Sequence, residues 1–392
     1  MKRKKWLALG LTAALVMSPV TGVYAQESDD SYETVESGDY DSNKKSDAKD
    51  EVAVQAAENS NIAASGEGIT GETGKNTTVT GNVTTTGEAV DGVTADGKNT
   101  TVTVKGNVTV SGTGSAGVSA DNNATVEVTG NVQAKGDNQT HEGQTGGTYI
   151  DKWADGVQAD NGSKVTVNGN VTSEKGRAID SHGSEVTVNG NVHSEEESAI
   201  NARDGSTVTI DGSVSSNVGI SLGGIIETTD STIKITKDVK AKNAWGILAG
   251  PGTDIEVGGN VSSEKEAVYI SGKDALIVVD GNVYSTKGCA MDILGQAEAT
   301  VKGDVTGNKL AAWLDNRSKL QALGKISSND VGILLSLYDA QGTGEFDLGT
   351  IDAQTAISIN YGDYKNIEDI IAALPEMTVY KMNADTLLRL YT

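Results

Sequence analysis

The sequence predicts an all-β fold: a single-stranded parallel β-helix of about twelve three-strand coils with a short C-terminal helical cap. Three observations predict it. A Gly-Asn-Val marker or a close variant recurs along the chain, its last residue falling at Val83, Val108, Val132, Val171, Val192, Val214, Val239, Val261, Val283, Val305, Ile326 and Ile351. Each marker is followed by a small residue and then an apolar one, from Gly92-Val93 to Ala356-Ile357. The composition also suits stacked strands better than an aromatic-packed globule, with 48 glycines and 4% aromatic residues.

The chain opens on Lys2, Arg3, Lys4 and Lys5, then an apolar run from Trp6 to Val16, then Val23-Tyr24-Ala25. Those are the parts of a secretory signal peptide over 1–25, cleaved near Ala25. The run is shorter than the roughly 18 residues a membrane span needs, so the mature chain is expected not to span a membrane and to be secreted or held at the cell surface. Losing four positive and no negative charges would shift the formal net charge from −23 to −27. A chain this acidic repels phosphate backbones, which argues against nucleic acid as a partner. So many carboxylates would permit calcium binding outside the cell, but their ordinary role is solubility, and no cofactor is expected. With three histidines and one cysteine no zinc site is expected. Cys289, the lone cysteine, precedes Ala290-Met291 at a corner of the repeat, where burial is expected.

Residues 26–64 are rich in Ser, Asp, Glu and Asn and are expected to form a disordered acidic spacer, with Val52-Ala53-Val54 close enough to cover the first coil. The β-helix is expected over 65–360. Each coil divides into three extended pieces. The first alternates, as in Val165-Thr166-Val167 and Val186-Thr187-Val188, so both apolar side chains share one face. The second starts at the marker valine. The third carries the small-apolar pair, as in Ala178-Ile179, Ala199-Ile200, Gly219-Ile220 and Gly246-Ile247. Two residues further on a second inward ladder is expected, through Ala95, Ala120, Ala159, Ala202, Leu222, Ile270, Ile293, Leu314, Leu335 and Ile359. One coil cannot cover its own apolar side, whereas stacked coils cover one another. The corner glycine is expected to adopt positive φ, and the asparagine after it, present in seven coils, to bond along its column. Beyond Ile359 the spacing of Ile367, Ile370, Ile371 and Leu374, ended by Pro375, predicts a helix in a cap over 361–392.

The recurring small-then-Ile pair and the Gly-Asn corner resemble the secreted right-handed parallel β-helix proteins of the pectate-lyase-like superfamily, over roughly residues 77–360. The resemblance implies the architecture and says little of function, because that fold serves lyases, hydrolases, adhesins and inert stalks.

One 39-residue interval between markers, Val132 to Val171, inserts a loop from about Lys135 to Ala154 that carries His141, Tyr149, Asp151 and Trp153. Beside it, the outward positions of the third strands should bring Asp155, Gln158 and Asp160 near Arg177, Asp180 and His182, then Asn201 and Arg203. Paired carboxylates can cleave glycosidic bonds, and arginine can engage an acidic sugar. Asp155, Asp160, Arg177, Asp180, His182 and Arg203 are therefore the catalytic candidates, weighed against a merely solvated face. The outward column turns apolar later, at Leu248, Tyr269, Trp313 and Leu334. Tyr149, Trp153, Tyr269 and Trp313 are the binding candidates, although the C-terminal segment folding back over the last two is the stronger expectation. The preferred function is non-catalytic surface adhesion or glycan binding, with a polysaccharide or surface component of host or bacterium as partner. A lyase or hydrolase acting on acidic glycan, and an inert structural matrix component, are the alternatives.

Overall fold

A computed structural model describes residues 54–55, 65–66, 68–142, 147–217, 224–339, 342, 344–360, 368–369 and 376–379, all within one compact unit, Ala53–Thr392. The expected signal peptide and all but Val54–Gln55 of the expected spacer lie outside these residues. The described chain is a parallel β-solenoid of about thirteen turns. Three parallel sheets of thirteen, thirteen and fourteen strands run its length, and each complete turn contributes one strand to each. The first sheet holds the alternating strands, the second the marker strands, and the third the small-apolar strands. Thus Lys164–Val167, Val171–Ser173 and Ile179–His182 follow one another around a single turn.

Register follows the repeat. Val165 pairs with Val186 in the first sheet, Val171 with Val192 in the second and Ile179 with Ile200 in the third. These side chains are fully buried, and the core is one continuous column, mostly of Val, Ile and Ala, from Ile69 to Ile359. Two inward-facing hydroxyls show how such groups are satisfied locally: Ser173 Oγ donates to Ala154 O at 2.8 Å, and Ser194 Oγ to Gly176 O at 2.9 Å.

The chain enters the sheets earlier than Thr77, where the repeat becomes legible. Val54–Gln55 pairs with Ile69–Thr70, and Ser65–Gly66 with Thr84–Thr85. At the other end Glu376–Val379 adds a last strand to the first sheet against Glu345–Leu348. The helix expected over 365–374 falls largely outside the described residues; Glu368 and Asp369 within it are helical.

Three expectations are corrected. In the coil after Val214 the position paired with Ile200 and Ile247 is held by Ile226, and Thr228 continues the second ladder; Ile220 and Leu222, expected there, lie outside the described residues. The spacing to the next strand of the first sheet is ordinary when counted from Ile226. Ile226 stands seven residues before Ile233, as Ile179 stands seven before Val186. In this coil the extra residues therefore precede the strand and do not follow it. Left-handed residues, Asn161-Gly162 and Asp204-Gly205 among them, sit in the turn that leads from the third sheet back to the first.

The marker glycines accordingly do something else. Apart from Gly81 they avoid positive φ. A Cβ on Gly106 would stand 2.2 Å from Gly81 O, and one on Gly190 2.5 Å from Gly169 O, so glycine is needed because successive corners stack backbone on backbone. The asparagine column also works mainly through the backbone. Asn131 N donates to Asn107 Oδ1 and Asn170 N to Asn131 Oδ1, both at 2.8 Å. Only an acceptor is required, which explains why Asp238 and Asp304 serve equally, taking the N–H of Asn260 and Lys325 at 2.7 Å.

Candidate functional site

The long interval forms an antiparallel hairpin, Gln139–Glu142 against Thr148–Lys152. Asn138 anchors its base, accepting from Ala154 N at 2.8 Å and donating to Lys175 O at 2.9 Å. Tyr149 is 52% exposed on this hairpin and stacks on His141 with ring centres 5.6 Å apart. His141 Nδ1 in turn meets Asp151 Oδ1 at 2.6 Å.

Where the hairpin rejoins the solenoid, the Trp153 ring lies 4.5 Å from the Arg177 guanidinium. Arg177 Nη1 donates to Asp180 Oδ2 at 2.7 Å, and Asn201 Nδ2 donates to Asp180 Oδ1 at 2.7 Å. Asp180 and Asn201 belong to one outward column of the third sheet, paired through Gln158, Asp180, Asn201 and Glu227. The next column holds Asp160, His182 and Arg203. His182 Nε2 lies 2.7 Å from Arg203 Nε and 3.2 Å from Asp180 Oδ1, and its Nδ1 faces Asp160 Oδ1 at 3.1 Å. Five of the six catalytic candidates thus form one network of charge-assisted contacts across three adjacent strands.

Asp155 is placed differently. It is 1% exposed and its Oδ1 accepts the Arg177 N–H at 2.7 Å. Asp91 does the same for Ala116 N at 2.8 Å near the start of the solenoid, so the position is a corner cap. Burial pushes the Asp155 carboxyl up to about 8, helped by Asp180 and opposed by Arg177. Two residues that sequence reasoning passed over complete the cluster. Glu197 is raised to about 7 by burial, and Glu227 is raised by burial, while Arg177 favours the ionised form of both. Glu227 was legible only with the correct register after Val214; Glu197 stands at a corner, where no repeat pattern signals it.

Tyr269 and Trp313 continue the column of Asp180 further along the same outward face, through Glu227, Leu248, Tyr269, Asp292 and Trp313. They do not meet Tyr149 or Trp153. Both are half-buried: Tyr269 stacks on Trp245 at 5.5 Å, and Trp313 Nε1 donates to Ser336 Oγ at 2.9 Å. The segment expected to cover them lies outside the described residues, save for Glu368–Asp369 and Glu376–Val379. Between them Asp292 is buried, with its Oδ1 unpartnered by any hydrogen bond of suitable geometry, and its carboxyl is raised to about 7 by burial. Cys289 beside it keeps some exposed surface, but its Sγ lies 3.2 Å from Met291 O and burial pushes the thiol up.

Among the described residues no cluster of three or more His, Cys, Asp or Glu side chains could hold a metal ion, and no helix is long and apolar enough to cross a membrane. No protein-family model, curated protein or solved structure matches this chain.

Proposed function

We propose that this is an exported extracellular solenoid, of the right-handed pectate-lyase-like type, that binds glycan on the outward face of its third sheet without cleaving it. One observation carries this reading. A half-buried network of Arg177, Asp180, His182, Asn201 and Arg203 stands beside a hairpin that projects an exposed tyrosine. Fixed donors and acceptors next to an aromatic ring suit a ligand rich in hydroxyl groups.

Binding is favoured over cleavage because the carboxylates are already committed. Hydrolysis needs one protonated and one ionised carboxyl facing a single bond. Asp180 is held by Arg177 and Asn201, Asp160 faces His182, and Asp155 caps a backbone N–H. Glu197, raised to about 7, is the group on which a hydrolase reading would rest.

The test offers the full chain a panel of plant, host and bacterial polysaccharides, with and without calcium. Retention, new reducing ends and unsaturated products are followed. Retention without product is expected, weakened about tenfold by Arg203→Ala or Tyr149→Ala, the loss of roughly 1.4 kcal/mol. Product that disappears in Glu197→Gln would replace the binding reading with a hydrolase, and no retention on any glycan would remove it.

A further inference from the structure

The outward side of the second sheet carries a separate concavity of about 580 Å³. Its floor is one column of paired residues, His193, Ser215, Lys240, Ser262 and Tyr284, each from the next turn. Lys242, two residues beyond Lys240 on the same face, adds a second ammonium to the wall. Two like charges side by side are notable in a chain of formal net charge −23.

Two acids stand nearby: Glu264 lines the groove itself, and Glu195 is close enough to feel the charge of Lys242. Glu195 meets His193 Nε2 at 3.0 Å and accepts from Asn217 Nδ2 at 2.7 Å, and Glu264 is paired with Lys287. Neither Lys240 nor Lys242 forms an ion pair with a described residue, and both are exposed. Tyr284 is 40% exposed, two turns from Lys240, about 10 Å at the usual strand spacing. Ser215 is already fixed against His193 Nδ1 at 2.9 Å.

We propose that this groove is a binding site for an anionic sugar chain, separate from the third-sheet face. Lys240 and Lys242 would take an acid group on one ring, and Tyr284 would carry the apolar face of a ring further along. The hydroxyls of Ser215 and Ser262 line the path between. The shared chemistry is an acidic substituent on a pyranose, whether carboxylate or sulfate, and the two are distinguished by the probe.

The experiment titrates the full chain at low salt with a hexameric oligouronate, with a sulfated hexasaccharide and with an uncharged hexasaccharide. At least one acidic probe should bind, the neutral one should bind much more weakly, and added salt should weaken the complex. Lys240→Gln combined with Lys242→Gln should cost about tenfold in affinity, two exposed charge pairs of somewhat under 1 kcal/mol each. Tyr284→Ala should weaken binding without removing its salt dependence. All three substitutions are on exposed positions and should leave the thermal midpoint unchanged. Failure of both acidic probes to bind overturns the proposal, as does undiminished binding by the double variant. Binding that Arg203→Ala abolishes while the lysine variant retains it would assign the ligand to the third sheet, and so also overturns it.

Discussion

At Asp155 the chain buries a carboxyl deeply enough to hold its proton up to about 8, and burial raises Glu197 and Asp292 to about 7. Each of these acids binds its proton more tightly in the folded chain than in the unfolded one, where carboxyls titrate near 4. Between about 4 and 8 the folded state therefore holds more protons, and stability must fall as pH rises through that window. Thermal midpoints measured from pH 5 to pH 8 should decline. Asp155→Asn keeps an acceptor for the Arg177 N–H and removes the titration, so it should reduce that decline and raise the midpoint at pH 8. An unaltered slope would show that Asp155 is not buried as a protonated acid. A second comparison tests the inward and outward assignment. Ile200 is fully buried, whereas Thr187 faces out. Ile200→Asp should destabilise by several kcal/mol and Thr187→Asp by less than about 1 kcal/mol. Equal losses in denaturant unfolding would contradict the register.

The elements of this fold are held by contacts that recur once per turn, so a single corner reveals what all of them need. Gly190→Ala would place a Cβ 2.5 Å from Gly169 O, and its φ gives no separate strain. The backbone must then shift, at a cost of about 1–3 kcal/mol, measurable in denaturant unfolding. Asn191 accepts the Ser213 N–H at 2.9 Å. Asn191→Asp should be close to neutral because the acceptor survives, while Asn191→Ala should cost about 1 kcal/mol. The reverse order would show that the side-chain amide matters more than its oxygen.

Over the whole molecule, stacking leaves open sheet ends as the natural weak points. Glu376–Val379 covers the edge strand Glu345–Leu348, in which Phe346 is buried. Removing 361–392 should bare that edge, lower the thermal midpoint and promote association that increases with concentration, visible by light scattering. A truncated chain as stable and as monodisperse as the parent would deny the segment any covering role. Thirteen turns at the usual strand spacing give the described solenoid a length of about 60 Å.

The amino-acid sequence by itself determined the architecture, because in a parallel solenoid each residue's main partner lies one repeat away. Val165 above Val186 and Ile179 above Ile200 are legible as periodicity, since burial on stacking imposes the same pattern on every turn. The outward neighbours Asp160, His182 and Arg203 were legible for the same reason. Tertiary structure alone decided what the repeat does not encode. Near Val214 the repeat offers two apolar candidates, and only the pairing with Ile200 and Ile247 identifies Ile226 as the core residue. Corner glycines could serve left-handed backbone or close approach, and only the stacking distance distinguishes them. The convergence of Asp155, Glu197 and Glu227 on Arg177 joins corners and strands from four turns. The groove around Lys240 depends on which of many polar outward columns is concave. Both are properties of distance in space, which a local pattern of inward and outward residues leaves undetermined.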